Sequence, residues 1–219
     1  MSKKAKSAKG KKVRRIILFI IVLLIAGALV YMALNNNTSK VKDIKKKKVV
    51  DKIDNFDYSV SETDTKLFKD EFKKLKKVLS SKEVDNQKYS EAVAKLFIID
   101  FYTLDNKMSK NDVGGVQFVY SKYKKTFIDK ARDQFYKYLK NNLSNDRNQD
   151  LPIVSEITVN SSEAISASSE LSGTDFAGIE EAYKVNLSWD YEEDLGYQKG
   201  ATVIVIKDGD KFSVAKLSN

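Results

Sequence analysis

Residues 16–34 form a run of nineteen uncharged, almost wholly apolar residues, and the fifteen residues before it hold eight Lys/Arg and no acid. At about 1.5 Å rise per residue, a helix over that run is roughly 28 Å long, close to the ~30 Å hydrocarbon thickness of a bilayer. The run is therefore expected to be a membrane-spanning helix, with a basic cytoplasmic tail at 1–15 and a tethered domain after Leu34. Lys/Arg flank it on both sides, but the eight before Ile16 lie close to the membrane, whereas the run Lys45, Lys46, Lys47 and Lys48 begins eleven residues beyond Leu34. The positive-inside bias then puts the N-terminus in the cytoplasm and the following domain outside, in a single pass of the cell membrane. A cleaved signal sequence is the competing reading, because Ala26 and Ala28 supply an A-x-A pattern. The apolar run exceeds the usual signal core of about 7 to 15 residues, which favours an uncleaved anchor.

The anchor changes how the charge is read. A formal net charge of +9 suggests a nucleic-acid binder, yet the tail alone carries +8. Residues 40–48 contribute six Lys against Asp43, leaving 25 basic and 29 acidic side chains over 49–219. The domain is mildly acidic, so direct contact with nucleic acid is not expected. The segment 35–58, rich in Asn, Lys and Asp, reads as a solvated linker; contact of its lysines with anionic lipid, at about 1 kcal/mol each, is the sharper alternative. The chain has neither Cys nor His. Disulfides, thiol nucleophiles and thiolate metal sites are excluded, and so are the commonest general base and the commonest metal ligand.

From 59 to 219 the apolar period changes once. Leu67, Phe68, Phe72, Leu75, Val78 and Leu79 recur at three to four residue steps, which predicts a helix over 63–81 capped by Ser61 or Thr63. Tyr89, Val93, Leu96, Phe97 and Phe101 predict a second over 87–104, and Ile98 and Ile99 widen its stripe until it should be the most buried. Residues 106–115 read as a break ending in Gly114 and Gly115. The helical period then resumes through Val116, Val119, Tyr123, Phe127, Ala131, Phe135, Tyr138 and Leu143, predicting one long amphipathic helix of nearly thirty residues whose aromatic stripe is core. After a polar break at 141–150 and the single proline, Pro152, the period becomes two. Strands are expected at 153–159 and 164–171, separated by 160–163. The alternation of Tyr183, Val185, Leu187, Trp189 and Tyr191 with polar neighbours marks a third. Two more, at 201–206 and 212–217, flank a Gly-containing hairpin at 207–210. Three helices followed by four to five antiparallel strands predict an α+β domain with the helices packed on one face of a curved sheet.

Few residues offer chemistry. Asp190, Glu192, Glu193 and Asp194 form the densest carboxylate cluster, but no Asp-x-Asp-x-Asp-Gly calcium loop is present, and a strand end with its turn accounts for them. Gly114 and Gly115 precede a helical stretch without any phosphate-loop spacing, so a tight turn that packs the third helix on the second is the expectation. Asp100, set among Phe97, Ile98, Ile99, Phe101 and Tyr102, is expected to be a buried carboxylate paired with a Lys or Tyr rather than a catalytic acid. Lys122, Lys124, Lys125, Lys130 and Lys137 interleave with Tyr120, Tyr123, Phe127 and Tyr136, as in single-strand binders. On an amphipathic helix diluted by Asp129 and Asp133 the same pattern is a wet face beside a core face. No catalytic, cofactor-binding or metal-ligating residue is expected, no cofactor is implied, and the chain is not expected to be an enzyme.

The helix-then-sheet order resembles the nuclear-transport-factor-2-like or cystatin-like superfamily. Together with the basic tail, the span of 16–34 and the linker, it resembles the bitopic scaffold of type IV secretion and conjugation machines, the eighth member of the VirB set, in a Gram-positive version. That resemblance implies a non-enzymatic membrane protein that forms homo-oligomers and holds other secretion-channel proteins together. One departure matters: the family's Asn-Pro-x-Gly turn is not here, since Leu151 precedes Pro152, so the dimer contact associated with that turn is not transferred. An alternative function is an extracytoplasmic ligand-binding or cell-wall accessory domain, which requires a pocket between helices and sheet.

Overall fold

A computed structural model describes residues 47–171, 176 and 178–218. The expected tail, the membrane span and the linker as far as residue 46 lie outside the described residues. Among those described, no helix is long and apolar enough to cross a membrane.

The stretch read as linker ends in a hairpin. Strand β1 (Val49–Ile53) pairs antiparallel with β2 (Tyr58–Ser61) through a 3-10 turn at Asp54–Phe56, closed by Asp57 in the left-handed region at φ 54°. Tyr58 and Val60 are buried and Ser59 between them only partly, so β2 alternates as a strand on a core should. The Tyr58 hydroxyl donates to the carbonyl oxygen of Phe212 at 2.6 Å and ties the hairpin to the far end of the chain.

Helix α1 (Lys66–Leu79) starts at Thr65, whose Oγ1 accepts the Phe68 N–H at 3.2 Å. The cap is therefore Thr65 rather than Ser61 or Thr63. Ser61 and Thr63 instead share a hydroxyl contact at 2.9 Å in the preceding turn. Helix α2 (Asn86–Tyr102) is capped by Asp85 on the Lys88 N–H at 3.0 Å and carries the widest buried stripe of the helices, as its sequence predicts. It stops where the Thr103 hydroxyl accepts the Val154 N–H and the Leu104 N–H donates to Pro152, stitching the helix end to the first strand of the main sheet.

The predicted thirty-residue third helix is not continuous. Two 3-10 turns, Val116–Phe118 and Ser121–Tyr123, lead into a shorter helix α3 (Lys124–Asp133), after which Gln134 leaves helical geometry at φ −119°, ψ −82°. The Tyr136 N–H then reaches the carbonyl of Ala131, five residues back, at 2.8 Å. That step inserts one residue into the helical period and advances the following side chains by about 100°. Tyr136 and Leu139 are buried as a result, while Tyr138 and Leu143, assigned to the core stripe by sequence, are exposed.

The main sheet is four-stranded and wholly antiparallel, in the order β3 (Val154–Ile165), β4 (Ala182–Tyr191), β5 (Gly200–Asp208), β6 (Lys211–Ser218). The two strands expected at 153–159 and 164–171 are a correction: β3 runs unbroken through 160–163, and a short helix α4 (Ala167–Glu170) follows it. Asn160 is accommodated as a bulge, since Val159 pairs with Leu187 and Ser161 already with Asn186. Gly209, at φ 64°, turns β5 into β6. The architecture is α+β. One face of β4, carrying Tyr183, Val185, Leu187, Trp189 and Tyr191, shares the main core with α1 and α2. A smaller cluster of Ala167, Leu171, Ala182, Ile204 and Ile206, joined by Tyr120, is separate from it.

Candidate functional site

The alternation of β4 and the stripe of α2 aim large aromatic side chains at the same space, and they fill it. Tyr102 lies 4.7 Å from Trp189 between ring centroids, and Phe101 contacts both Phe127 at 5.3 Å and Phe135 at 5.1 Å. The polar tips in this layer are satisfied internally. Trp189 Nε1 donates to the Tyr191 hydroxyl at 2.9 Å, which donates to the Gln198 carbonyl at 2.7 Å. At the opposite end the Tyr58 and Tyr89 hydroxyls meet at 3.1 Å, and burial pushes both phenols above their ordinary range. Satisfied aromatic tips of this kind make a layer rigid.

Beside this layer, Asp100 and the glycine pair come together. Gly114 packs so tightly on α2 that a Cβ there would lie 2.0 Å from the Asp100 carbonyl oxygen, and Gly115, at φ 76°, donates its N–H to Asp100 Oδ2 at 2.7 Å. The other carboxylate oxygen accepts from the Lys107 ammonium at 2.6 Å, and Lys107 is fully buried. Tyr136 completes the knot: its hydroxyl accepts the Gly114 N–H at 3.1 Å and donates to the Phe101 carbonyl at 2.7 Å. Burial raises the Asp100 carboxyl, but the adjacent Lys107 charge and the two hydrogen bonds outweigh it and hold the group below the ordinary carboxylate range. Asp100 is thus paired with a lysine, as its surroundings in sequence predict, and Gly114 and Gly115 make the tight turn expected of them. The partner Lys107 was not legible, because its seven-residue separation spans the end of α2.

Two surface clefts flank these features. The first, about 280 Å³, is polar and is lined by Asp64, Asp100, Asp112 and Gln117, with Lys47 at 3.1 Å from Asp112. Within it, burial and the neighbouring Asp100 charge raise the Asp64 carboxyl although its Oδ2 accepts the Ser61 N–H at 2.7 Å. The second, also about 280 Å³, is an apolar trough between α3 and β6, with Phe97, Tyr123 and Phe127 against Val214, Ala215 and Leu217, and with Lys130 and Lys216 in its lining. Sequence reasoning treated these residues separately, as a helix stripe and a terminal strand. Nothing in either pattern says that the two lie side by side.

The remaining candidates stay apart. Lys199 lies 3.5 Å from Asp190 and 2.9 Å from Asp194, a surface cluster of three charges at the end of β4. Along α3, Asp129 pairs with Lys125 at 2.8 Å and Arg132 at 3.1 Å, while Tyr120 and Tyr136 are buried. Of the lysines interleaved with aromatics here, Lys130 lines the apolar trough with Tyr123 and Phe127. Among the described residues, no group of three or more His, Cys, Asp or Glu is placed to hold a metal ion. Comparison with known proteins returns no match: no family model, no curated protein and no solved structure is significantly similar to this chain.

Proposed function

We propose that this protein is a membrane-anchored, non-enzymatic scaffold of a conjugative type IV secretion channel, of the kind represented by the eighth VirB component in a Gram-positive setting. In this reading the basic tail is cytoplasmic, residues 16–34 span the cell membrane, and a nuclear-transport-factor-2-like domain with its helices against a curved sheet works outside it. The domain self-associates and binds other channel proteins without touching the transferred DNA.

The observation that carries the reading is the packed interior. A ligand-binding domain of this helix-on-sheet order needs an open volume between helices and sheet, and here the space between α2 and β4 is occupied by Tyr89, Phe97, Phe101, Tyr102 and Trp189, each at most 6% exposed, which among the described residues leaves only surface clefts such as the trough between α3 and β6. What remains for function is surface, and surface is how a scaffold acts. The mildly acidic domain and the basic tail fit the same division of labour. Deleting the gene from a conjugation-proficient strain is expected to abolish transfer, and restoring it on a plasmid to recover transfer. Wild-type transfer from the deletion strain rejects the assignment.

A further inference from the structure

Helix α1 turns a basic face to solvent in a domain that is otherwise acidic. Its six lysines stand against Asp70 and Glu71, and without them the 25 basic and 29 acidic side chains of 49–219 become 19 and 27. The helical period sorts these charges. Phe68, Glu71, Phe72 and Leu75 are buried, and on the opposite side Lys66, Lys73 and Lys77 fall in one row with Asp70. The carboxylates beside that row are already matched: Asp70 with Lys73 at 3.0 Å and Asp51 with Lys76 at 2.7 Å. Lys69 donates to the Glu62 carbonyl oxygen at 2.9 Å, a neutral acceptor that leaves its charge uncancelled. Lys66 and Lys77 are exposed and hold no ion pair among the described residues. The face therefore carries more positive charge than its own neighbours neutralise.

The length of chain before the domain selects what meets this face. Through Lys76 and Asp51, α1 lies beside β1, the strand at which the described domain begins. Only residues 35–46 separate Lys47 from the apolar run of 16–34, and twelve residues cannot span more than about 40 Å even fully extended. With fourteen residues, α1 is itself roughly 21 Å long, so a bilayer holding that run is within its reach. Val49 and Val50 of β1, 52% and 53% exposed, add apolar surface beside the same entry point. An anionic surface attracts α1 and repels the acidic remainder, which favours one orientation of the domain. We propose that α1 lies along the anionic lipid headgroups of the membrane that holds residues 16–34, with Lys66, Lys73 and Lys77 against the phosphates. The inference rests on the anchor of the scaffold reading, and it adds the face by which the tethered domain meets the membrane.

The chain has no Cys, so a single introduced cysteine carries one fluorophore on the full-length protein. Ser80→Cys labels the exposed end of α1, and Thr158→Cys labels an exposed position on the face of β3 opposite the buried Ile157. Each is reconstituted in phosphatidylcholine nanodiscs bearing a nitroxide headgroup quencher, with or without phosphatidylglycerol. Quenching at position 80 is expected to exceed that at 158 severalfold on the anionic discs. It is expected to fall to the level at 158 without phosphatidylglycerol, or when salt is raised to about 1 M. In the Ser80→Cys background, Lys66→Glu/Lys73→Glu/Lys77→Glu is expected to lose the effect, and arginine at the same three positions to keep it. These side chains are exposed, so the charge-reversed protein is expected to melt within a few degrees of its parent. Equal quenching at the two positions on anionic discs overturns the proposal, as does quenching at 80 that ignores phosphatidylglycerol or survives charge reversal. Duplex DNA that binds through the same three lysines and lifts position 80 from the lipid overturns it too, by assigning the face to nucleic acid. Failure with the chain embedded in the discs and transfer still lost on deletion rejects this face alone, whereas the expected quenching with transfer intact in the deletion strain rejects the place in conjugation.

Discussion

Asp100 and Lys107 form an ion pair that holds the glycine turn against α2. Lys107 is fully buried and Asp100 is 17% exposed at the side chain, so each charge depends on the other and on the Gly115 N–H. Replacing Lys107 by Met leaves Asp100 without its cation, and the expected loss is about 3 kcal/mol, the lower end for breaking a buried pair because Gly115 still donates. Urea unfolding measures it; a loss below about 1 kcal/mol would place the pair among the weak surface bridges. The pH dependence has a defined sign. The folded Asp100 carboxyl titrates below its unfolded value of 3.8, so its contribution is complete above about pH 4 and disappears as the pH falls through the folded value. Asp64 runs the other way. Its raised folded value means that ionisation costs stability, a cost absent below pH 3.8 and developed as the pH rises through the folded value. Asp64→Asn, which keeps an oxygen for the Ser61 N–H, is therefore expected to raise Tm at pH 7 and to leave it unchanged at pH 3. A lower Tm at pH 7 contradicts the burial argument.

The elements differ in how far sequence prescribes them, and the difference is local versus long-range. α2 and β4 were legible because burial alone dictates their patterns: apolar residues at helical steps from Tyr89 to Phe101, and strict alternation from Tyr183 to Tyr191. The stretch after α3 was not, since the stripe of Phe127, Ala131, Phe135 and Tyr138 is a good helical period that the protein breaks to bring Tyr136 onto Gly114. Two main-chain partners for one hydroxyl outweigh the last helical turns, and only the contact with the glycine turn reveals it. The β1–β2 hairpin was hidden for a similar reason: only Tyr58 and Val60 alternate, and Val49 and Val50 are exposed. The one-residue phase step makes opposite demands on adjacent tyrosines. Tyr136→Phe strands the buried Gly114 N–H and Phe101 carbonyl and is expected to cost about 2 kcal/mol. Tyr138→Ala, at a residue 77% exposed, is expected to stay within about 0.5 kcal/mol of wild type. A helix continued through Tyr138 would reverse that order, so chemical denaturation of the two variants decides between them.

For the molecule as a whole, the described core and the basic excess are separate in sequence. Every residue of the described main core lies at Ile53 or later, and residues 45–219 form a compact unit of their own. The basic excess sits instead in the tail and the lysine-rich linker, leaving a domain with slightly more carboxylates than cations. The described core and the basic excess are thus carried by different stretches of chain. On the scaffold reading, the anchor confines the domain to the membrane beside its partners and raises its effective concentration there, without adding any contact of its own. A chain beginning at Lys45 and exported by a cleavable signal is therefore expected to melt within a few degrees of the full-length protein and yet to fail to restore transfer in the deletion strain. Reattaching it through an unrelated transmembrane helix is expected to recover transfer, because the tether supplies proximity rather than recognition. Full recovery by the untethered domain removes the role of the anchor. Failure of the heterologous anchor, with the domain folded and present at the membrane, assigns specific contacts to residues 16–34 themselves.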